Sequence, residues 1–202
     1  MLTISEERIT ELLEKCNGYG SAIYPLIKDR LTGYREEDIA FAEEGLFFEE
    51  EYLLILKHIK QNQIPVERVV DIGCLFGFQS ELFDGVEYIG VEALKNIKFF
   101  NQEKGNVRYI TGIFPYVDVD LKNAVTISSM SLGYFNEMVD KDEKKALDKV
   151  AEKLAECSRL YIKTTPELTE RLIPLFEHHE ILKYKEKANY IFSLYYFSNM
   201  DK

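Results

Sequence analysis

Apolar positions near the start of the chain recur at helical spacing. Ile9, Leu12, Leu13 and Cys16 fall at i, i+3, i+4 and i+7 in a charged segment, predicting a helix with one buried face. Thr3-Ile4-Ser5-Glu6 reads as its capping-box start, with Glu6 reaching back to the Thr3 backbone, and Asn17-Gly18-Tyr19-Gly20 as its stop. A second helix is expected over residues 21–31, with Pro25 in its first turn. Thr32 to Gly45 is acidic and weakly patterned. Leu46 to Gln61 carries a wide apolar face, which predicts a helix buried on more than one side.

The texture changes at Pro65. Arg68 to Ile72 is a short apolar run ending in a turn, the pattern of a buried parallel strand. Further strands are expected at Glu87–Val91, Val107–Ile110, Ala124–Ile127 and Arg159–Lys163, with helices around Asn96–Glu103 and between Asn136 and Cys157. Thr165-Pro166-Glu167 starts another helix, which Pro174 should end or kink. Ile181–Lys185 and Tyr190–Phe197 read as a hairpin. Five strands alternating with helices imply an α/β, Rossmann-like doubly wound sheet. The hairpin makes it seven-stranded and mostly parallel, with an antiparallel strand at the C-terminus, behind a helical cap. The division expected is a cap over residues 1–64 and the α/β domain over 65–202.

Charge narrows the function. The 202 residues carry 25 Lys+Arg against 35 Asp+Glu, a net charge of −10 that opposes generic binding to DNA phosphates. Thirteen Phe and thirteen Tyr exclude a disordered chain. No apolar run approaches the length of a membrane span, and the first residues lack the apolar core of a secretory signal. Cys16, Cys74 and Cys157 are too few for a disulfide framework, and with His58, His178 and His179 they form no metal spacing. The expectation is a reduced, cytoplasmic, metal-free protein.

The chemistry centres on Val69-Val70-Asp71-Ile72-Gly73-Cys74-Leu75-Phe76-Gly77-Phe78-Gln79-Ser80: a strand, a glycine turn and an expected helix. Some twenty residues on, a second strand closes on Ile89-Gly90-Val91-Glu92, where a carboxylate can accept hydrogen bonds from a ribose. A dinucleotide site would need glycine where Leu75 and Phe78 stand. Over roughly Val66 to Phe197 the chain instead resembles the class I S-adenosylmethionine-dependent methyltransferases, whose first motif is [D/E]-x-G-x-G-x-G.

That resemblance implies S-adenosyl-L-methionine as cofactor. It would lie against Asp71, Gly73, Cys74 and Gly77, then Glu92 and Ala93, then Gly112 and Ile113, and finally Ser128. Asp71 would stand near the methionine amino end and Glu92 at the ribose. Leu75 replaces the motif's middle glycine, and its side chain can point into the core or toward the ligand. Ser128-Ser129-Met130-Ser131 matches neither the Asn/Asp-Pro-Pro-Tyr nor the Pro-Cys motif of nucleic-acid base methyltransferases. The function implied is methyl transfer to a small-molecule acceptor, with no catalytic base singled out. An inactive, methyltransferase-like binding or scaffold protein is the alternative, and an RNA methyltransferase the weaker one. Cys74 reads as a packing residue, and Tyr19, Tyr24 and Tyr34 either line a lid or pack between the leading helices.

Overall fold

A computed structural model of the chain describes residues 2–16, 21–44, 49–187 and 190–199. The first helix, α1 (Glu6–Cys16), is capped by Ser5, whose Oγ accepts the Arg8 amide at 3.2 Å. The expected Thr3 cap is displaced, because Thr3 is bonded to the Asp84 turn instead. The stop expected at residues 17–20 lies outside the described residues, as do Tyr19 and the first residues of the 46–61 helix. The second helix shortens to α2 (Tyr24–Ile27), continued by a 3₁₀ turn over Lys28–Arg30. The acidic stretch contains α3 (Glu36–Glu43), and the long apolar helix is α4 (Glu49–Gln61). Glu49 is buried and accepts the Ala22 amide at 2.7 Å and the Ile23 amide at 3.3 Å, tying the start of α4 to that of α2.

Strands follow at β1 (Arg68–Ile72), β2 (Glu87–Glu92), β3 (Val107–Thr111), β4 (Val125–Ser129), β5 (Arg159–Lys163), β6 (His178–Lys187) and β7 (Tyr190–Ser198). They form one sheet in the order β3-β2-β1-β4-β5-β7-β6, with β7 antiparallel to both its neighbours and the rest parallel. The antiparallel C-terminal strand inferred from sequence is therefore present. Helices α5 (Glu143–Leu154, capped by Asp142) and α6 (Pro166–Leu172) complete the fold.

Strand residues alternate between two cores, as the pleat requires. Val69, Tyr88, Val107, Ile127 and Tyr161 pack with Ile9 and Leu12 of α1 and with Leu53 and Leu56 of α4. Val70, Ile89, Val91, Leu160 and Ile162 pack with Leu147, Val150 and Leu154 of α5 and Leu168 of α6. The leading helices thus cover one face of the sheet. They take the place of two connections that the sequence reads as helical and the structure does not form as α-helices. After β1 comes only a 3₁₀ segment, Phe78–Phe83, and residues 96–103 run as turns. Asn96 (φ +66°) and Asn101 (φ +55°) are left-handed, a conformation that interrupts an α-helix and that asparagine adopts more readily than most residues.

Polar contacts hold α4 over the sheet. Lys163 at the end of β5 pairs with Glu51 at 2.6 Å, both buried, and His58 Nδ1 lies 2.8 Å from the Tyr161 hydroxyl. This fixes Tyr52, on the same helix, above the end of β1.

Candidate functional site

The carboxyl ends of β1, β2 and β4, with the loops that follow β1 to β4, enclose a cavity of about 310 Å³. Such a place, where strand order reverses beside β1, is where open α/β sheets bind ligands. The lining follows the chain: Ile72 to Leu75 after β1, Val91 to Leu94 at β2, Gly112 to Phe114 after β3, and Ser129 to Gly133 after β4. Phe41 of α3, Tyr52 of α4 and Gln79 cover one side, while Phe135, Met138 and Val139 reach it from the other.

The turn after β1 is tightly wound. Gly73 (φ +76°), Leu75 (φ +50°) and Gly77 (φ +71°) are all left-handed, so the position where the motif has its middle glycine keeps glycine-like backbone while carrying leucine. Leu75 both lines the cavity and packs on the core beneath α4. The turn's amides are already engaged. Gly73 and Cys74 donate to the Val91 carbonyl at 2.7 and 3.3 Å, and Leu75 donates to Glu92 Oε2 at 2.8 Å. A loop with its N–H groups engaged this way is a poor cradle for a pyrophosphate.

Of the residues read from sequence, Gly73, Cys74, Glu92, Ala93, Gly112 and Ile113 line the cavity, whereas Asp71, Gly77 and Ser128 do not. Each of the three has another engagement. Asp71 shares the face of Val69, toward α4, and is fully buried. Its Oδ1 accepts the Tyr52 hydroxyl at 2.9 Å, and its Oδ2 accepts the Tyr88 hydroxyl at 2.5 Å and Gln79 Nε2 at 2.8 Å. Burial pushes the Asp71 carboxyl up to about 6, against the downward pull of these three donors. A Cβ on Gly77 would lie 2.2 Å from the Tyr109 hydroxyl, so this glycine admits a tyrosine ring. Ser128 Oγ pairs with Ser131 Oγ at 2.7 Å, and Ser131 also donates to the Ile72 carbonyl at 2.8 Å. One residue further along the strand the pleat turns the other way, and Ser129 faces the cavity.

Among the described residues, Glu92 is the only charged side chain in the lining. Besides Leu75, it accepts the Leu94 amide on Oε1 at 2.9 Å, and each oxygen retains a further lone pair for a ligand hydroxyl. Two buried polar atoms of lining residues, Gln79 Oε1 and Ser129 Oγ, lack hydrogen-bond partners among the described residues. Burial drives the Cys74 thiol well above its ordinary range, which makes it a packing group rather than a nucleophile. Tyr34 packs its ring 5.3 Å from that of Phe78, away from the cavity lining. No group of three metal-ligating side chains occurs among the described residues, and no described helix is long and apolar enough to cross a membrane.

Sequence reasoning missed Tyr52 and Gln79, and at the end of β4 it singled out Ser128 where Ser129 lines the cavity. Gln79 lies two residues beyond the last glycine of the motif, outside the family pattern, and Tyr52 arrives from a helix remote in sequence.

No protein-family model matches the sequence, and no curated protein does. Solved structures match strongly. The bifunctional kinase-methyltransferase WbdD superposes with a TM-score of 0.58 at 14% identity, over 87% of this chain and 46% of that one. EvdMO1 gives 0.56 at 14% identity, over 88% and 47%. The N-methyltransferase NodS from Bradyrhizobium japonicum WM9 gives 0.54 at 14% identity, over 77% and 98%. The chain therefore spans about half the length of WbdD and EvdMO1 and most of NodS. The fold is that of the class I S-adenosylmethionine-dependent methyltransferases. At these identities the likeness is one of fold.

Proposed function

We propose that the chain binds S-adenosylmethionine and transfers its methyl group to a small, uncharged, largely apolar acceptor. The observation that carries the reading is the cavity itself. It runs along the ends of β1, β2 and β4 and the loop after β3, with Glu92 the single charge that the described residues bring to its lining. One carboxylate in an otherwise neutral cavity favours a cationic ligand over the polyphosphate of a dinucleotide.

The residues present fit that cofactor. Glu92 would hold the ribose hydroxyls, Ala93, Leu94 and Ile113 would pack on adenine, and the unpartnered Gln79 and Ser129 offer polar atoms elsewhere along the wall. When bound, it supplies a methyl group already activated by its sulfonium leaving group. The chain's own part is to align the acceptor for in-line attack and to exclude water. Ser129 Oγ, buried at the β4 end and without a partner among the described residues, is suited to a heteroatom of the acceptor. At the mouth, Leu94 (52% exposed), Phe135 (55%) and Met138 (38%) leave apolar surface beside the lining. That rim suits an apolar molecule.

A second reading, a methyltransferase-like binding or scaffold protein without catalysis, is favoured by Leu75, a leucine in the cavity lining where the motif has glycine. Calorimetric titration with S-adenosylmethionine and S-adenosylhomocysteine separates the two. Binding of both supports the enzyme, and binding of neither leaves the scaffold. A duplex DNA titration in the same buffers should show no salt-sensitive affinity, because the net charge of −10 opposes phosphate contact.

A further inference from the structure

Asp71, next to the last residue of β1, does not reach the cavity, yet it determines which atom of a cavity residue is left free. Gln79 Nε2 donates to Asp71 Oδ2 at 2.8 Å and to the Cys74 carbonyl at 2.9 Å, with the Tyr52 hydroxyl further off at 3.4 Å. An amide nitrogen carries two hydrogens, and both have acceptors here. Turning the amide over would set Oε1 against a carboxylate and a carbonyl oxygen, replacing two attractions by two repulsions. The orientation is therefore fixed by the hydrogen-bond network, the way such assignments are made. Its consequence is that Oε1 has no partner among the described residues, although Gln79 is 2% exposed and lines the cavity. Native structures seldom leave a buried acceptor unused.

The complementary ligand group is a hydrogen-bond donor, best a charged one, since charge-assisted bonds are the stronger kind. Among the described lining side chains, Asn136 is a second amide held by a network, through the Gly133 carbonyl at 3.1 Å and Glu143 at 3.3 Å, but it is half-buried after β4, whereas Gln79 Oε1 is buried. Glu92 is held by the Leu75 and Leu94 amides at the β2 end, and Ser129 Oγ is a hydroxyl free to turn. Resting on the methyl-donor reading above, we propose that Gln79 Oε1 receives the α-ammonium of the cofactor's methionyl end. Asp71 is then a positioning residue that acts through Gln79: the acid of the first motif is kept, and its contact with the ligand is delegated to an amide. Tyr52 and Tyr88 hold Asp71 in turn, so α4 and β2 both brace the arrangement.

The test compares S-adenosylhomocysteine with its deamino analogue, which keeps the carboxylate and lacks only the ammonium, by titration calorimetry. The natural protein should prefer S-adenosylhomocysteine by about tenfold or more. In Gln79→Met the preference should fall close to unity, through loss of affinity for S-adenosylhomocysteine and not for the analogue. Asp71→Asn should reduce the preference part of the way, because a neutral partner no longer dictates which way the Gln79 amide faces. Thermal unfolding of each variant verifies the fold, and Gln79→Asn, which keeps the amide with a shorter reach, replaces Gln79→Met if the latter fails to fold. Equal affinity of the natural protein for the two ligands overturns the assignment while leaving the methyl-donor reading intact. So does a preference that survives Gln79→Met. Binding of neither ligand by the natural protein overturns the methyl-donor reading, and this assignment with it.

Discussion

Glu92 Oε2 accepts the Leu75 amide at 2.8 Å, so the carboxylate placed to hold a ribose also holds the left-handed residue of the neighbouring turn. Ligand affinity and loop order are therefore coupled at one side chain. Glu92→Ala should weaken S-adenosylhomocysteine binding about ten- to a hundredfold, the size of a lost charge-assisted hydrogen bond at ~1.5–3 kcal/mol. It should also lower folding stability, since the Leu75 and Leu94 amides lose their acceptor. Glu92→Gln keeps one acceptor oxygen and should retain part of both. Calorimetry and denaturant unfolding read the two effects separately, and unchanged affinity in the Ala variant removes Glu92 from the site.

At Leu75 the usual ranking of small substitutions should invert. Alanine keeps the left-handed strain, worth roughly 1–2 kcal/mol for an L-residue. Glycine removes it and adds about 0.5–1 kcal/mol of backbone entropy cost. Leu75→Gly is thus expected to be more stable than Leu75→Ala, and to bind S-adenosylhomocysteine more tightly than the natural protein because a side chain leaves the cavity wall. Denaturant midpoints of the two variants and one titration decide both points. A Gly variant less stable than the Ala variant would show that the turn relaxes away from φ +50°.

The sheet was readable because its strands are short β-rich runs bounded by turns. Arg68–Ile72 and Arg159–Lys163 are strands over the same residues in sequence and structure. Helices were harder. α3 was hidden because its apolar residues, Ile39, Ala40, Phe41 and Ala42, cluster without an amphipathic stripe; the better signal was the acidic first turn of Glu36, Glu37 and Asp38, which suits a helix N-terminus. The helix read over Asn96–Glu103 took no account of two asparagines, which stand in the left-handed region. At the site, residues that line the cavity through backbone turns were legible from the glycine motif. Asp71 and Ser128 were not placed, because one strand residue either way reverses the face, and a pattern of residue types does not give the phase. Gln79 acquires its role only when Asp71 and the Cys74 carbonyl take both its amide hydrogens.

Gly77 carries a different constraint from Gly73, although both belong to the motif. Its missing Cβ would sit 2.2 Å from the Tyr109 hydroxyl and 2.7 Å from the ring carbon that bears it, at φ +71°. The Tyr109 hydroxyl is itself committed to the Phe100 carbonyl at 2.6 Å, so the ring has little freedom to withdraw. Gly77→Ala should cost about 2–5 kcal/mol, combining left-handed strain with overpacking. Tyr109→Ala in the same background should recover the overpacking part and not the strain. A Gly77→Ala variant unfolding within experimental error of the natural protein would mean that Tyr109 repacks freely.

The pH dependence of stability should carry the signature of Asp71. Its folded value of about 6 lies above the ordinary 3.8, with burial the main cause and the Tyr88, Gln79 and Tyr52 donors opposing it. Between those two values the folded state binds more protons than the unfolded chain. Stability therefore falls as pH rises through this window and levels off above it, by on the order of 3 kcal/mol for a shift of about two units. Glu49, also pushed up by burial, adds a change of the same sign. Asp38 and Asp140, held low by Arg35 and Lys149, act oppositely, and their stabilisation is lost only as pH falls further, toward their folded values. Urea unfolding at about pH 4.5, 5.5 and 7 should show the natural protein losing stability upward through the series. Asp71→Asn has no carboxyl to ionise at that position and should give a distinctly flatter profile. Parallel profiles for the two proteins would mean that Asp71 titrates near its ordinary value and that the tyrosine and glutamine donors outweigh its burial.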